Sequence, residues 1–279
     1  MLPALWREPL ARMCCYACAY FPILSTSKNK IPNMIDLIHS DAFSALPGLE
    51  AESFDAVITD PPYSSGGKAM SRKQGKVGAE KYFDHADKDF DDGTRDQLAH
   101  RLWTTDWLRL CHRLIKQGGW CMVFSDWRQL PLTCMAMQCA GFIWQGVNIW
   151  HKPNGLPQLG RFFRADEFIV IGSKGEPPGG PKLRGTGAVT YSQMWQGMLS
   201  PKERYHATAK PVALMRHLMQ VLPPGSRVLD PFAGGGATLV AAAELGHHAT
   251  GIEVTADNYE TARRRVAELL PPLTDTPET

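Results

Sequence analysis

The chain of 279 residues is 44% hydrophobic and 21% charged, with a formal net charge of +2. That apolar content is enough for a substantial core, and the near-neutral balance excludes a uniformly basic nucleic-acid-binding protein, so any such surface must come from local clusters of Lys and Arg. Seven cysteines, Cys14, Cys15, Cys18, Cys111, Cys121, Cys134 and Cys139, are an odd number; they argue against a disulfide framework and read as reduced thiols in a cytoplasmic protein.

Residues 1–33 contain a short apolar run, 13–24, behind Arg7 and Arg12. The run is too short to span a membrane, and the segment is expected to be a poorly ordered extension ahead of a domain that begins at Met34. Cys14, Cys15 and Cys18 have no Cys/His pair at zinc-finger spacing, so no metal is expected. From Met34 onward, β-branched and apolar runs predict seven strands: Ile35–His39, Phe54–Thr59, Trp120–Ser125, Gly146–Trp150, Glu167–Ile171, Ser226–Asp230 and Ala249–Val254. Helical periodicity predicts Arg95–Lys116, Trp127–Cys139, Ala209–Leu222, Ala237–Leu245 and Ala256–Leu270 between them. The alternation implies an α/β fold, a mostly parallel sheet with helices on both faces. Segments 64–93 and 173–205 interrupt it and are too long to be plain connections; 271–279 is a Pro/Thr-rich tail.

The run Arg227–Val254 reads as strand, glycine turn, helix and strand. Gly234, Gly235 and Gly236 let the backbone turn sharply and approach a ligand. Glu253 closes the next strand, where a carboxylate accepts hydrogen bonds from ribose hydroxyls. Position 239 is Leu239 where a dinucleotide fingerprint needs Gly or Ala, and no Gly-Lys-Ser/Thr follows. Asp230, just ahead of the turn, repels pyrophosphate and suits a cation. S-adenosylmethionine, with a sulfonium and an α-ammonium group, therefore fits better than NAD.

Asp60-Pro61-Pro62-Tyr63 closes another strand at the rim where such sheets bind ligands. Asp60 can accept a hydrogen bond from an amino group, the prolines make a rigid turn with free carbonyls, and Tyr63 offers a ring for stacking. Together they suit an exocyclic amino group on a planar heterocycle, whose developing positive charge in methyl transfer two acceptors would stabilise.

These residues resemble the amino-methyltransferases that modify adenine N6 or cytosine N4 in DNA. "DPPY" at 60–63 resembles the family's catalytic motif and "DPFAGGG" at 230–236 its cofactor motif, in the permuted order of the β class. The resemblance, over Met34 to about Leu270, implies a Rossmann-like seven-stranded S-adenosylmethionine-dependent methyltransferase fold with a DNA-recognition excursion. It implies cofactor contacts from Asp41, Ala207, Thr208, Lys210, Asp230, Pro231, Phe232, Ala233, Gly234, Gly235, Gly236, Thr238 and Glu253, with Thr238 as the hydroxyl ligand because Ala237 stands where Ser or Thr is usual. It makes Asp60, Pro61, Pro62 and Tyr63 catalytic and, through the leading Asp60, favours adenine. Cytosine N4, RNA, a protein amide or a catalytically silent DNA-binding regulator are the other readings.

A flipped-out base of double-stranded DNA and a homodimer follow from the same resemblance; an orphan enzyme and a restriction-modification partner fit equally. Lys68, Arg72, Lys73 and Lys76 read either as a loop folding over DNA phosphates or as a solvated charged loop. Lys182 and Arg184, in 173–205, are assigned to DNA by elimination. Lys152 and Arg161 are candidate phosphate contacts.

Overall fold

Strand β2 (Phe54–Thr59) buries every side chain except the half-buried Asp55, as expected of a strand covered on both faces. Successive side chains point oppositely: Ala56 and Ile58 join one core cluster, and Val57 joins the other. In β3 (Ile115–Ser125), Met122 and Phe124 likewise separate from Cys121 and Val123. The computed structural model describes residues 34–63, 95–153, 159–160, 162, 165–177, 191–200 and 209–269. The predicted segments 1–33, 64–93 and 271–279, and much of 173–205, lie outside the described residues.

The remaining strands are β1 (Ile35–His39), β4 (Ile143–His151), β5 (Asp166–Ser173), β6 (Met194–Gln196), β7 (Arg227–Asp230) and β8 (His248–Glu253). They form one sheet in the order β1-β8-β7-β2-β3-β5-β4-β6. All its strands share one direction except β5, which is antiparallel to β3 and β4. The seven expected strands are present, and the sheet has an eighth: β6 pairs with the edge of β4 at Ile149–His151. Three residues with partly exposed side chains leave no period-two signal to read.

One face carries α4 (Val212–Met219), α5 (Ala237–Glu244) and α6 (Ala256–Leu269); the other carries α1 (Ala42–Ala45), α2 (Gln97–Leu114) and α3 (Leu130–Cys139). Asp96 caps α2 by accepting the Ala99 N–H at 3.0 Å. Trp107, Leu108, Cys111 and Leu114 are fully buried at helical spacing on α2. Cys111, Cys121 and Cys134 are buried free thiols, whereas Cys139 is exposed. No helix among the described residues is long and apolar enough to cross a membrane.

Gly236, ahead of α5, has a left-handed backbone (φ +78°), and a Cβ there would stand 2.9 Å from the Ala262 Cβ of α6. Gly236→Ala is therefore expected to destabilise the protein by about 2 kcal/mol, through backbone strain and overpacking together. Urea denaturation measures the difference.

Candidate active site

The chain leaves β7 for β8 on one side and β2 for β3 on the other, so the sheet switches direction of travel between β7 and β2. A crevice opens at the carboxyl ends of strands at such a point. Both sequence motifs end there. Thr59 closes β2 and donates from Oγ1 to Asp230 Oδ1 at the end of β7, at 2.7 Å. This bond joins the two halves of the site.

Asp230 is 3% exposed and also accepts the Phe232 N–H, at 3.1 Å, and the Thr238 hydroxyl. Burial outweighs these donors and pushes its pKa up to about 6. Glu253, at the end of β8, accepts the Gly234 N–H at 2.8 Å and the Thr255 N–H at 2.7 Å. The carboxylate expected to meet a ribose thus also shapes the glycine turn. On the opposite side of that turn, the Arg265 guanidinium donates to the Gly235 carbonyl. Asp41 follows β1 and caps α1, accepting the Phe43 N–H at 2.9 Å and the Ser44 N–H at 3.3 Å. The Ser40 N–H bonds the Glu253 carbonyl at 3.1 Å, so Asp41 and Glu253 share one rim.

Phe232 packs with Trp103 and Trp107 of α2, ring centroids 5.5 and 5.2 Å away. Pro231 and Ala233 are buried beside it. Thr238 is 2% exposed with its hydroxyl turned to Asp230. Ala207 and Thr208 lie outside the described residues.

In the half of the site carried by β2, Asp60 follows the strand directly. Its Oδ1 accepts the Tyr63 hydroxyl at 2.6 Å, and its Oδ2 accepts the Lys210 ammonium. Pro61 is buried and Pro62 half-buried, and neither has an N–H to compete for the carboxylate. Lys210 precedes α4 and its side chain is only 6% exposed. Its ammonium sits on the Asp60 carboxylate, whereas the sequence resemblance assigns Lys210 to the cofactor. Nζ is also 3.4 Å from Glu167 Oε2 and 5.5 Å from the centroids of Tyr63 and Phe124.

Glu167 is the residue that sequence reasoning missed. It starts β5, whose reversal brings its amino end to the rim: Ser125 pairs with Phe168, and Trp150 with Glu167. Lys152, just past β4, donates to Glu167 Oε1, and its ammonium stands 4.4 Å from the Trp150 ring centroid. Lys152, a candidate phosphate contact, is thus engaged inside the site. A lysine after one strand and a glutamate starting the next were the available signal, but only an antiparallel pairing brings them together.

Burial raises the Asp60 pKa, although the Lys210 charge pulls it down. For Glu167 burial also opposes ionisation, but Lys210 and Lys152 prevail and its pKa is lowered. Burial works against the Lys210 charge too, and the two carboxylates outweigh it, raising the pKa. Burial and the neighbouring Asp60 charge push Tyr63 well up, so its phenol stays a proton donor. The site is thus a cluster of two half-buried carboxylates, the buried Lys210 ammonium and the partly exposed Lys152 ammonium, with a fixed donor; the buried Lys210 charge is costly unless it is partnered. Lys68, Arg72, Lys73, Lys76, Arg161, Lys182 and Arg184 lie outside the described residues. Among the described residues, no group of three His, Cys, Asp or Glu side chains is arranged to hold a metal ion.

A family model described as DNA methylase matches residues 54–264. The type II methyltransferase M2.DpnII of Streptococcus pneumoniae is 28% identical over 265 residues, which cover 88% of this chain and 95% of that protein. Its counterpart M2.LlaDCHI of Lactococcus lactis subsp. cremoris is 27% identical over 251 residues, covering 82% and 88%. Among solved structures, the fold is similar to that of M1.HpyAVI in complex with S-adenosylmethionine (TM-score 0.60, 22% identity, 84% of this chain and 99% of that one). It is also similar to PvuII DNA methyltransferase, described as cytosine-N4-specific (TM-score 0.64, 16% identity, 90% and 89%). A putative DNA modification methylase of Thermus thermophilus, complexed with S-adenosylmethionine, shares the fold at a TM-score of 0.62 and 21% identity, over 85% and 95% of the two chains.

Proposed function

This chain belongs to the DNA methylase family, and we propose that it methylates N6 of an adenine flipped out of duplex DNA, with S-adenosylmethionine as methyl donor. The observation that carries this reading is the junction of Asp60 and Tyr63 with Asp230 across the β7–β2 switch point, made by the Thr59–Asp230 hydrogen bond. Amino-group chemistry and a cofactor site of buried carboxylates meet at one rim.

S-adenosylmethionine supplies an electrophilic methyl group. Asp230, Glu253 and the 234–236 turn would hold it: two buried carboxylates favour a ligand with an ammonium and a sulfonium group and disfavour a pyrophosphate. M1.HpyAVI and the Thermus protein were both solved with this cofactor. Asp41, on the same rim, is a candidate for the adenine end.

The target nitrogen is a weak nucleophile because its lone pair is delocalised into the ring. Asp60 accepts one of its hydrogens and the Pro61 carbonyl the other, so positive charge developing on nitrogen meets acceptors already in place. Burial raises the proton affinity of Asp60, which suits it to receive the proton lost as the secondary amine forms. Tyr63 steadies Asp60 through its hydroxyl and presents its ring to the base.

Adenine, and not cytosine, rests on Asp60 as the first residue of the motif. Duplex DNA as substrate and a homodimer rest on the family pattern, and a cytoplasmic location on the odd number of cysteines read as reduced thiols. Incubation with labelled cofactor and duplex DNA, followed by digestion to nucleosides, is expected to yield labelled N6-methyl-2′-deoxyadenosine. Label in N4-methyl-2′-deoxycytidine overturns the choice of base, and label only in RNA or protein overturns the reading.

A further inference from the structure

Glu167 has no task in the reaction above, yet it shares a buried lysine with the catalytic carboxylate. Lys210 Nζ donates to Asp60 Oδ2 and lies 3.4 Å from Glu167 Oε2. In this seat the ammonium covers the oxygen that the target amino group needs. It also opposes the reaction: as the N–C bond forms, nitrogen becomes positive, and a cation held on the same carboxylate cancels much of the stabilising field. Only interactions stronger in the transition state than in the ground state raise the rate.

We propose that Glu167 is a positioning residue, the alternate seat that draws the Lys210 ammonium off Asp60 when the amino group of the target base arrives. The inference rests on the amino-methylation reading above. Four observations support the second seat. Glu167 lies on a strand paired on both sides, with β3 and β4. Lys152 holds its Oε1, while Oε2 faces Lys210 and lies 3.4 Å from the Tyr63 hydroxyl. The Tyr63 and Phe124 rings, each with its centroid 5.5 Å from Nζ, offer the ammonium π faces in addition to the carboxylates. Finally, Pro211, the N-cap of α4, stiffens the backbone next to Lys210, so the transfer needs only a side-chain swing.

The exchange moves one cation between two carboxylates and requires no proton. Asp60, Glu167, Lys152, Lys210 and Tyr63 are the ionisable groups in contact, with Asp126 and Asp230 contributing charge from the ends of β3 and β7. In the free protein the Lys210 charge also favours the ionised form of the half-buried Asp60 against desolvation.

The test is single-turnover methyl transfer to adenine-containing duplex DNA from about pH 6 to 9.5, with cofactor affinity measured by calorimetry, for wild type, Glu167→Gln, Lys210→Met and the double variant. Glu167→Gln is expected to lower the rate about 100-fold at every pH, with cofactor affinity unchanged. Lys210→Met moves the acid limb of the profile to higher pH but keeps the alkaline plateau within about tenfold of wild type. The double variant recovers to that plateau, because the cation left on Asp60 by Glu167→Gln is gone.

A double variant as slow as Glu167→Gln at every pH overturns the inference, as does a Glu167→Gln variant of wild-type rate. A Lys210→Met variant that loses cofactor affinity at unchanged maximal rate overturns it as well, by making Lys210 a cofactor ligand. If Glu167→Gln fails to fold, Glu167→Asp replaces it: the retained charge predicts at least a tenth of the wild-type rate, and a loss of about 100-fold sinks the proposal. A wild-type protein inert on DNA overturns the underlying reading instead.

Discussion

Asp60→Ala is expected to lower single-turnover methyl transfer by about 10³-fold while leaving cofactor affinity within a few-fold of wild type. In the proposed reaction the carboxylate is the acceptor at the point where charge develops, and loss of one such preorganised partner typically costs about 10²- to 10³-fold in rate. The proposed cofactor half is built separately, from β7, β8 and the glycine turn, and among the described residues Asp60 is linked to it through the neighbouring Thr59–Asp230 bond and a lesser charge effect on Asp230. Removal of the carboxylate leaves Lys210 with Glu167 at 3.4 Å, so the buried ammonium keeps a partner and the fold is expected to survive. Rapid-quench measurement beside calorimetric cofactor titration separates the two effects. Turnover retained in the variant would falsify the role given to Asp60.

Asp230→Asn is expected to stabilise the protein and impair it. The Asp230 pKa is raised from 3.8 to about 6 because its charge is buried. The native state therefore binds this proton more tightly than the unfolded chain. Stability is highest below the unfolded pKa and falls as pH rises through the folded one, by at most about 3 kcal/mol. Asparagine avoids that loss and can still accept from Thr59 and the Phe232 N–H. Urea denaturation at pH 8 is expected to show a more stable variant, with the difference vanishing below about pH 4. Cofactor affinity is expected to fall about 10- to 100-fold with loss of the charged acceptor. A variant equally stable at both pH values would show that the carboxylate carries no penalty.

The central strands are legible in the sequence because burial on both faces leaves apolar runs, as in β2. The half-exposed β1 and β4 are legible through their apolar and β-branched residues, and the main helices because Gly, Pro and capping residues mark where their periodicity stops. Both motifs fall at strand ends for the same reason. The direction of β5 is a different matter: its residues, Asp166–Ser173, read alike whichever way the strand runs, and direction decides whether Glu167 faces the site. The partners of Lys210 and Lys152 were hidden with it. Among the three glycines, Gly236 is required by helix packing against Ala262 as well as by the turn, a distinction that spacing alone does not make.

The hydrogen-bonded pairing of β2 with β7 also has a kinetic side. Ala56 lies against Val228 and Val57 against Leu229, so the middle of the sheet is joined from segments near opposite ends of the chain. Closing so long a loop is slow, and during synthesis β2 emerges well before the strand that covers it. Until β7 arrives, β2 is an open apolar edge, the kind of surface that captures other chains. Activity and protection from aggregation are therefore acquired in the same late step, when Thr59 meets Asp230.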